Sequence, residues 1–361
     1  MRVLMLTRRV DREDWLAGFA HTWIERLARH PQIDHLDVIC LERGAVDLPP
    51  NVHVSSMGKE RGYGRLRELA EFRRALLDVI GQADVLFGHM IPRYALVAAP
   101  WALAHRVPVV QWYTHRQPTA ELRLVHALAA RIVSATPESY PLPAEKVVYL
   151  GHGIDMARFR PSPEPVAEPL IVSVGRLSPI KHYEALIEAV ALLAKRPGYE
   201  GVQAVIAGGT TPQHGDAYRQ ALIDLAGARG VADRIEFAGP VPYHEIHSLY
   251  QQAALSVNLC PTGGADKAVL ESMACGLPVV VRNETFLPLL GDDADALWCA
   301  GLEPENVAAK LAGLLDRSAE ARREIGARLR ERVRAGYDLD GLIDRLVGVL
   351  AEAAREKGKA V

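Results

Sequence analysis

Arg176 and Lys181 lie five residues apart in the stretch 170–190, LIVSVGRLSPIKHYEALIEAV. The five residues that open it, four of them apolar and mostly β-branched, read as a strand buried on both faces of a parallel sheet. Gly175 breaks the run, and from Tyr183 the apolar residues return at helical spacing, at Leu186, Ile187 and Val190. Two cations at the carboxyl end of a buried strand, beside a helix amino terminus with free N–H groups, make a place for a diphosphate. The plain alternative is a solvated loop with two surface charges. His115 follows another short apolar run, 109–113, and its neighbours Thr114, Arg116 and Gln117 can all bind polar groups. A histidine at the end of a central strand sits where α/β proteins place ligands. His89, after the run 85–87, has the same placement without those neighbours.

The elements that must position these residues alternate along the chain. Short apolar strands are expected at 3–6, 36–41, 52–54, 85–87, 109–113, 131–134 and 147–150, with helices carrying Trp23, Ile24 and Leu27 and spanning 65–80. The loop 7–18 after the first strand, TRRVDRED and onward, lacks GxGxxG, which argues against a dinucleotide-dependent dehydrogenase. Gly18 can still let a helix amino terminus approach a phosphate. The segment 151–169 holds four prolines and reads as a linker. Beyond it come strands at 170–174, 202–206, 234–237, 254–259 and 278–281, with helices at 218–229, 244–253 and 268–275, and then helices at 304–316, 319–335 and 340–355. The fold class is therefore α/β, two doubly wound Rossmann-like domains facing each other across a cleft. The expected division is 1–160, 161–338, and a last helix, 339–361, crossing back to the first domain.

At 361 residues two domains are the natural expectation, and a net charge of −2 gives no reason to propose nucleic acid as a partner. The chain up to Arg160 carries 21 basic and 17 acidic residues, the rest 21 and 27. That asymmetry permits an anionic surface or acceptor at the first domain. Arg61, Arg65, Arg67, Arg73 and Arg74, with Leu66, Leu69, Phe72 and Leu76 between them, make an amphipathic helix that could rest on anionic lipid. Glu60, Glu68 and Glu71 dilute it towards an ordinary solvated face. Cys40, Cys260, Cys275 and Cys299 have no metal-finger spacing and suit a reducing compartment. The apolar run at the amino terminus is only four residues, and no stretch approaches a membrane span. A cytoplasmic protein, able to sit at the inner face of a membrane through its first domain, is the expectation.

Taken together, YLGHGIDMARFRP, VGRLSPIKHYEALIEA, VIAGG, FAGPVPYHEIHSLYQQA and NLCPTGGADKAVLESMACGLPVVV resemble, in order, the retaining glycosyltransferases of family 4. The resemblance covers most of 147–281 and is general over the first domain. It implies the two-domain GT-B fold and a nucleoside-diphosphate-sugar donor, with no other cofactor and no metal. It further implies that Arg176 and Lys181 hold the diphosphate and that Glu271, as the second glutamate of the family's pair, accepts hydrogen bonds from the ribose. Gly175 and Gly208 would border the donor, and Val241 and Pro242 would pack against the base. Asp266 would cap the helix, turning the N–H groups of Lys267 and Ala268 towards the phosphates or sugar. Gly18 matches the first domain's phosphate-approaching loop, and His115 the histidine near the anomeric centre.

One departure stands out: the first glutamate of the pair, eight residues before Glu271, is replaced by Gly263. A subgroup with Gly-x-x-Asp-Lys in this loop would account for it, Asp266 or Lys267 taking over contacts to the sugar. The resemblance implies transfer to an acceptor hydroxyl on a glycan, a lipid-linked sugar or a small molecule, with acceptor-binding loops at 11–18, 89–94 and 115–118. A nucleotide-sugar-binding scaffold without turnover, or another GT-B reaction such as epimerisation, are the rival readings.

Overall fold

The computed structural model describes all residues except 144, 164–168, 211–214 and 262, so the middle of the proline-rich linker lies outside the described residues. The chain divides into two units, Met1–Gly153 with Leu339–Val361, and Ile154–Asp338. The division falls at Gly153 rather than 160 because Ile154 and Phe159 are fully buried in the core of the second unit. Ile154 also pairs with Asp338, its N–H donating to the Tyr337 carbonyl at 2.8 Å.

The first unit is built on seven parallel strands, β1 (Arg2–Val10), β2 (His35–Arg43), β3 (Val52–Ser56), β4 (Val85–His89), β5 (Val109–Trp112), β6 (Arg131–Ser134) and β7 (Val147–Tyr149), in the order β3-β2-β1-β4-β5-β6-β7. Because side chains alternate along a strand, Val3 and Met5 of β1 enter one core while Leu4 and Leu6 enter the other. The first core is closed by α1 (Gly18–Arg29) and by the last helix of the chain, Leu339–Glu356, which buries Leu342, Ile343, Leu346, Val347 and Leu350. The second is closed by α2 (Arg65–Val79), α3 (Pro92–Ala104) and α4 (Ala120–Leu128). Strand β1 runs four residues further than the expected 3–6. Thr7, Arg9 and Val10 pair in register with Cys40, Glu42 and Arg43, and the Arg9 guanidinium bonds to Asp14 and Glu42.

The second unit has five parallel strands, β8 (Leu170–Val174), β9 (Gln203–Ala207), β10 (Ile235–Gly239), β11 (Leu255–Asn258) and β12 (Val279–Val281), in the order β10-β9-β8-β11-β12. Its helices are α5 (Tyr183–Leu193), α6 (Gly215–Ala228), α7 (Ile246–Gln252), α8 (Lys267–Ala274), the single turns α9 (Leu287–Leu290) and α10 (Ala294–Leu297), and α11 (Pro304–Leu315) and α12 (Ala319–Tyr337). The helix Leu339–Glu356 that returns to the first unit is α13. Helix α7 begins only at Ile246, two residues after the expected 244, and His244 and His247 are half-buried.

Candidate functional site

In both sheets the strand order reverses beside the first strand of the unit, and at such a point the following loops diverge and leave a crevice. In the second unit the reversal lies between β8 and β11. Lys181 comes from the loop after β8 and Asp266 from the loop after β11, and their side chains meet in a hydrogen-bonded ion pair. Asn258, the last residue of β11, donates to the same Asp266 oxygen at 3.0 Å. The other oxygen accepts the Ala268 N–H at 3.1 Å and so caps α8. Burial alone would raise the Asp266 carboxyl, but the Lys181 ammonium and the bonds from Lys181, Asn258 and Ala268 outweigh it and hold it below its usual range. The cap also corrects an expectation. The Ala268 N–H is spent on Asp266 and is not one of a pair of N–H groups turned towards a ligand.

Glu271 stands one turn along α8 from Lys267 and is 95% buried, at 5% exposure. Burial pushes its carboxyl well above the ordinary range, while Lys267 and a hydrogen bond from Tyr243 pull it back down. Burial likewise lowers the Lys267 ammonium, which Glu271 raises in turn. Tyr243 ties these groups together. Its hydroxyl donates to Glu271, and its ring carries the Lys267 ammonium at 5.5 Å and the Arg158 guanidinium at 5.7 Å. Tyr243 follows Val241 and Pro242 directly in the loop after β10. Three cations, Lys181, Lys267 and Arg158, and two carboxylates thus gather near the carboxyl ends of β8 and β11, about one aromatic ring.

Arg176 is exposed, and among the described residues its guanidinium has no ion-pair partner. The loop that carries it is fixed from below by Tyr183, buried, whose hydroxyl donates to the Gly175 carbonyl at 3.0 Å. Gly208, at the end of β9, comes so close that a Cβ there would run into that same carbonyl, and its φ of +148° is a glycine conformation. Gly263 has φ +122° and nothing within 4 Å of where a Cβ would be. The loop thus follows a backbone path that disfavours a glutamate, which accounts locally for the departure at this position. The loop is held from elsewhere: the Asn283 amide donates to the Gly263 and Gly264 carbonyls at 3.3 Å each, and the Thr285 hydroxyl to Gly263 at 3.3 Å.

In the first unit the order reverses between β1 and β4, and there Thr7 Oγ1 and His89 Nδ1 lie 3.0 Å apart, both side chains buried. The His89 ring is surrounded by Phe19 at 5.9 Å and Trp23 at 5.5 Å. His115 is exposed just beyond β5, its ring 5.4 Å edge-on from Tyr113. Gly18 opens α1, where no side chain caps the helix. Of the expected acceptor loop 89–94, Pro92 onward is already helix. Asn258, Tyr243 and Asn283 were not singled out by sequence reasoning. A polar residue ending an otherwise apolar strand was the available signal for Asn258, and the other two had none.

Against known proteins, the family described as glycosyl transferases group 1 matches residues 156–332. A D-inositol 3-phosphate glycosyltransferase of Thermobispora bispora is 30% identical over 190 residues, 50% of this chain and 44% of that one. A GDP-mannose-dependent alpha-(1-6)-phosphatidylinositol monomannoside mannosyltransferase of Mycobacterium tuberculosis is 32% identical over 234 residues, 59% and 58% of the two chains. The chain thus spans about half the length of the curated relatives it matches. Among solved structures, Anabaena Alr3699/HepE in complex with UDP superposes with a TM-score of 0.75 over 98% of this chain and 100% of that one, at 17% identity. Sucrose-phosphate synthase from Thermosynechococcus elongatus does so with 0.74, over 98% and 99%, also at 17%. The fold is GT-B: two Rossmann-like α/β domains. The second of them is related in sequence to the group 1 glycosyltransferases.

Proposed function

We propose that the protein is a retaining, metal-independent glycosyltransferase of family 4 that moves a sugar from a nucleoside diphosphate to an acceptor hydroxyl. The observation that carries this reading is the constellation Lys181, Asp266, Lys267 and Glu271 at the reversal point of the second sheet. As the glycosidic bond to the donor breaks, negative charge accumulates on the departing diphosphate. Lys181, set in place by Asp266, and Arg176, exposed on the same loop, supply fixed positive charge to meet it. Glu271 offers two acceptor oxygens to the vicinal hydroxyls of a ribose, with Tyr243 holding the carboxylate in orientation. Gly175, Gly208, Val241 and Pro242 supply backbone around the nucleotide. In retaining transfer on one face, the acceptor hydroxyl gives its proton to the leaving phosphate, and the configuration at the anomeric carbon is kept. In this reading His115 and Gly18 serve from the first unit, and the acceptor is a glycan, a lipid-linked sugar or a small molecule. The two curated relatives named above act on inositol-bearing acceptors by their names, so inositol derivatives belong in the first acceptor set.

The test is nucleotide release from a panel of UDP-, GDP- and ADP-sugars, with and without mixed acceptors. Acceptor-stimulated release from one donor is the expected result, and nuclear magnetic resonance of the product should show the donor's anomeric configuration kept. Saturable donor binding with no release from any of them would instead establish a nucleotide-sugar-binding partner.

A further inference from the structure

Helices α2, α3 and α4 cover one face of the first sheet and share a core, into which Phe72, Leu76, Ala98 and Leu122 point. On a solvated layer the opposite sides of such helices are polar. Here they are not. Of the nine large apolar side chains that the described residues expose, six belong to this layer: Leu66, Leu69 and Leu77 on α2, Leu103 on α3, and Leu124 and Leu128 on α4. Leu66 is 87% exposed and Leu103 81%. Helix α3, PRYALVAAPWALA, has Arg93 as its only charged residue. The helices are neighbours, with the Phe72 and Tyr94 rings 6.2 Å apart between α2 and α3.

The exposed charge around these leucines is mostly positive, although Arg74 and Arg93 are ion-paired with Glu71 and Glu121. Between residues 59 and 128, ten lysine and arginine side chains are exposed against two acidic ones, Glu60 and Asp78. The other acids of the stretch are drawn inward: Glu68 is buried, and Glu71, Asp84 and Glu121 are half-buried. Arg61 and Arg67 stack on the ring of Tyr63, at 4.6 and 3.6 Å, ahead of α2. All this occurs in a chain whose net charge is −2.

We propose that the outer face of α2, α3 and α4 is a docking surface for an anionic lipid bilayer. Single leucines spread over three adjacent helices, with arginines between them, suit an interface where apolar side chains enter the acyl boundary and guanidiniums meet lipid phosphates. A second copy of the chain fits poorly, since pairing this face with itself would set arginine against arginine. The inference is independent of the donor reading, because it concerns adsorption and not turnover.

The full chain is sedimented with vesicles of phosphatidylcholine alone and with vesicles containing about one third phosphatidylglycerol. Binding is expected only to the anionic vesicles, weakening as salt is raised. Loss of each outward arginine, tested with Arg67→Ser and Arg73→Ser, should weaken it about fivefold. The triple variant Leu66→Ser, Leu69→Ser, Leu103→Ser should lose binding while keeping the wild-type melting temperature and nucleotide release. Failure of the wild type to bind anionic vesicles at low salt would overturn the proposal, as would variants that melt and bind like wild type. Association of this face with an acidic soluble protein in place of vesicles would also overturn it.

Discussion

At the scale of single residues, Glu271 carries a cost that its proposed task explains. Below about pH 4.3 a glutamate is neutral in the unfolded chain and, with its raised folded pKa, in the folded one, so nothing is lost. As pH rises further the unfolded chain ionises first, and the folded state loses stability until the buried carboxyl follows. Glu271→Gln removes that loss. Thermal unfolding should show the variant gaining stability over wild type at neutral pH and no gain in acid, while titration calorimetry shows weaker donor binding. Tyr243→Phe keeps the ring between Lys267 and Arg158 but withdraws a hydrogen bond that lowers the Glu271 carboxyl. With Lys267, Asp266 and Arg158 still facing that carboxyl, the acid limb of kcat/KM should move to higher pH, and an unmoved limb would deny Tyr243 this role. Arg176 and Lys181 could be singled out in the sequence because two cations after a buried strand have a chemical reading on their own, whereas Glu271, inside α8, was singled out only through the family resemblance. Tyr243 was not: its partners come from a different loop and a helix, and only folding brings them to it.

At the scale of elements, the buried parallel strands could be read from their apolar runs, and most bounds moved by one or two residues. Helices α3 and α4 escaped, α3 because it is apolar on nearly every side and so shows little of the 3.6-residue alternation that marks a surface helix. The same feature puts leucine on its outer side. The loop before α8 rests on a distant side chain. Asn283→Ala leaves the Gly263 and Gly264 carbonyls without that donor, which should cost about 1–2 kcal/mol and raise KM for the donor more than it lowers kcat. A melting temperature and kinetic constants equal to wild type would show that the loop holds its shape without Asn283.

At the scale of the molecule, the chain leaves the first unit at Gly153 and returns to it with α13. That helix supplies ten of the thirty buried residues of one core, among them Leu342, Ile343, Leu346, Val347 and Leu350, and burying each such large side chain contributes about 1.5–3 kcal/mol. Their sum is comparable to the whole stability of a domain. Truncation after Asp338 should therefore unfold the first unit and leave the second folded. Calorimetry of the truncated chain should show a single transition of reduced enthalpy. Two undiminished transitions would show that α13 is dispensable. The alternation of strands and helices announced two doubly wound units, but not where the division falls. That depends on Ile154 and Phe159 entering the second core, a packing fact that the proline-rich composition of the linker does not express. No helix of the described residues is long and apolar enough to cross a membrane.

The central claim is that the charges gathered at the reversal point of the second sheet hold and discharge a nucleoside diphosphate. Steady-state kinetics of Lys181→Ala and Glu271→Gln, on whichever donor the wild type turns over, test it most directly. The Lys181 variant should lose roughly 10²–10³ in kcat, the cost of one fixed partner for developing charge. The Glu271 variant should lose mainly through KM, since its contact with the ribose is the same in ground and transition states. Both variants turning over donor as the wild type does, with the fold intact, would contradict the account.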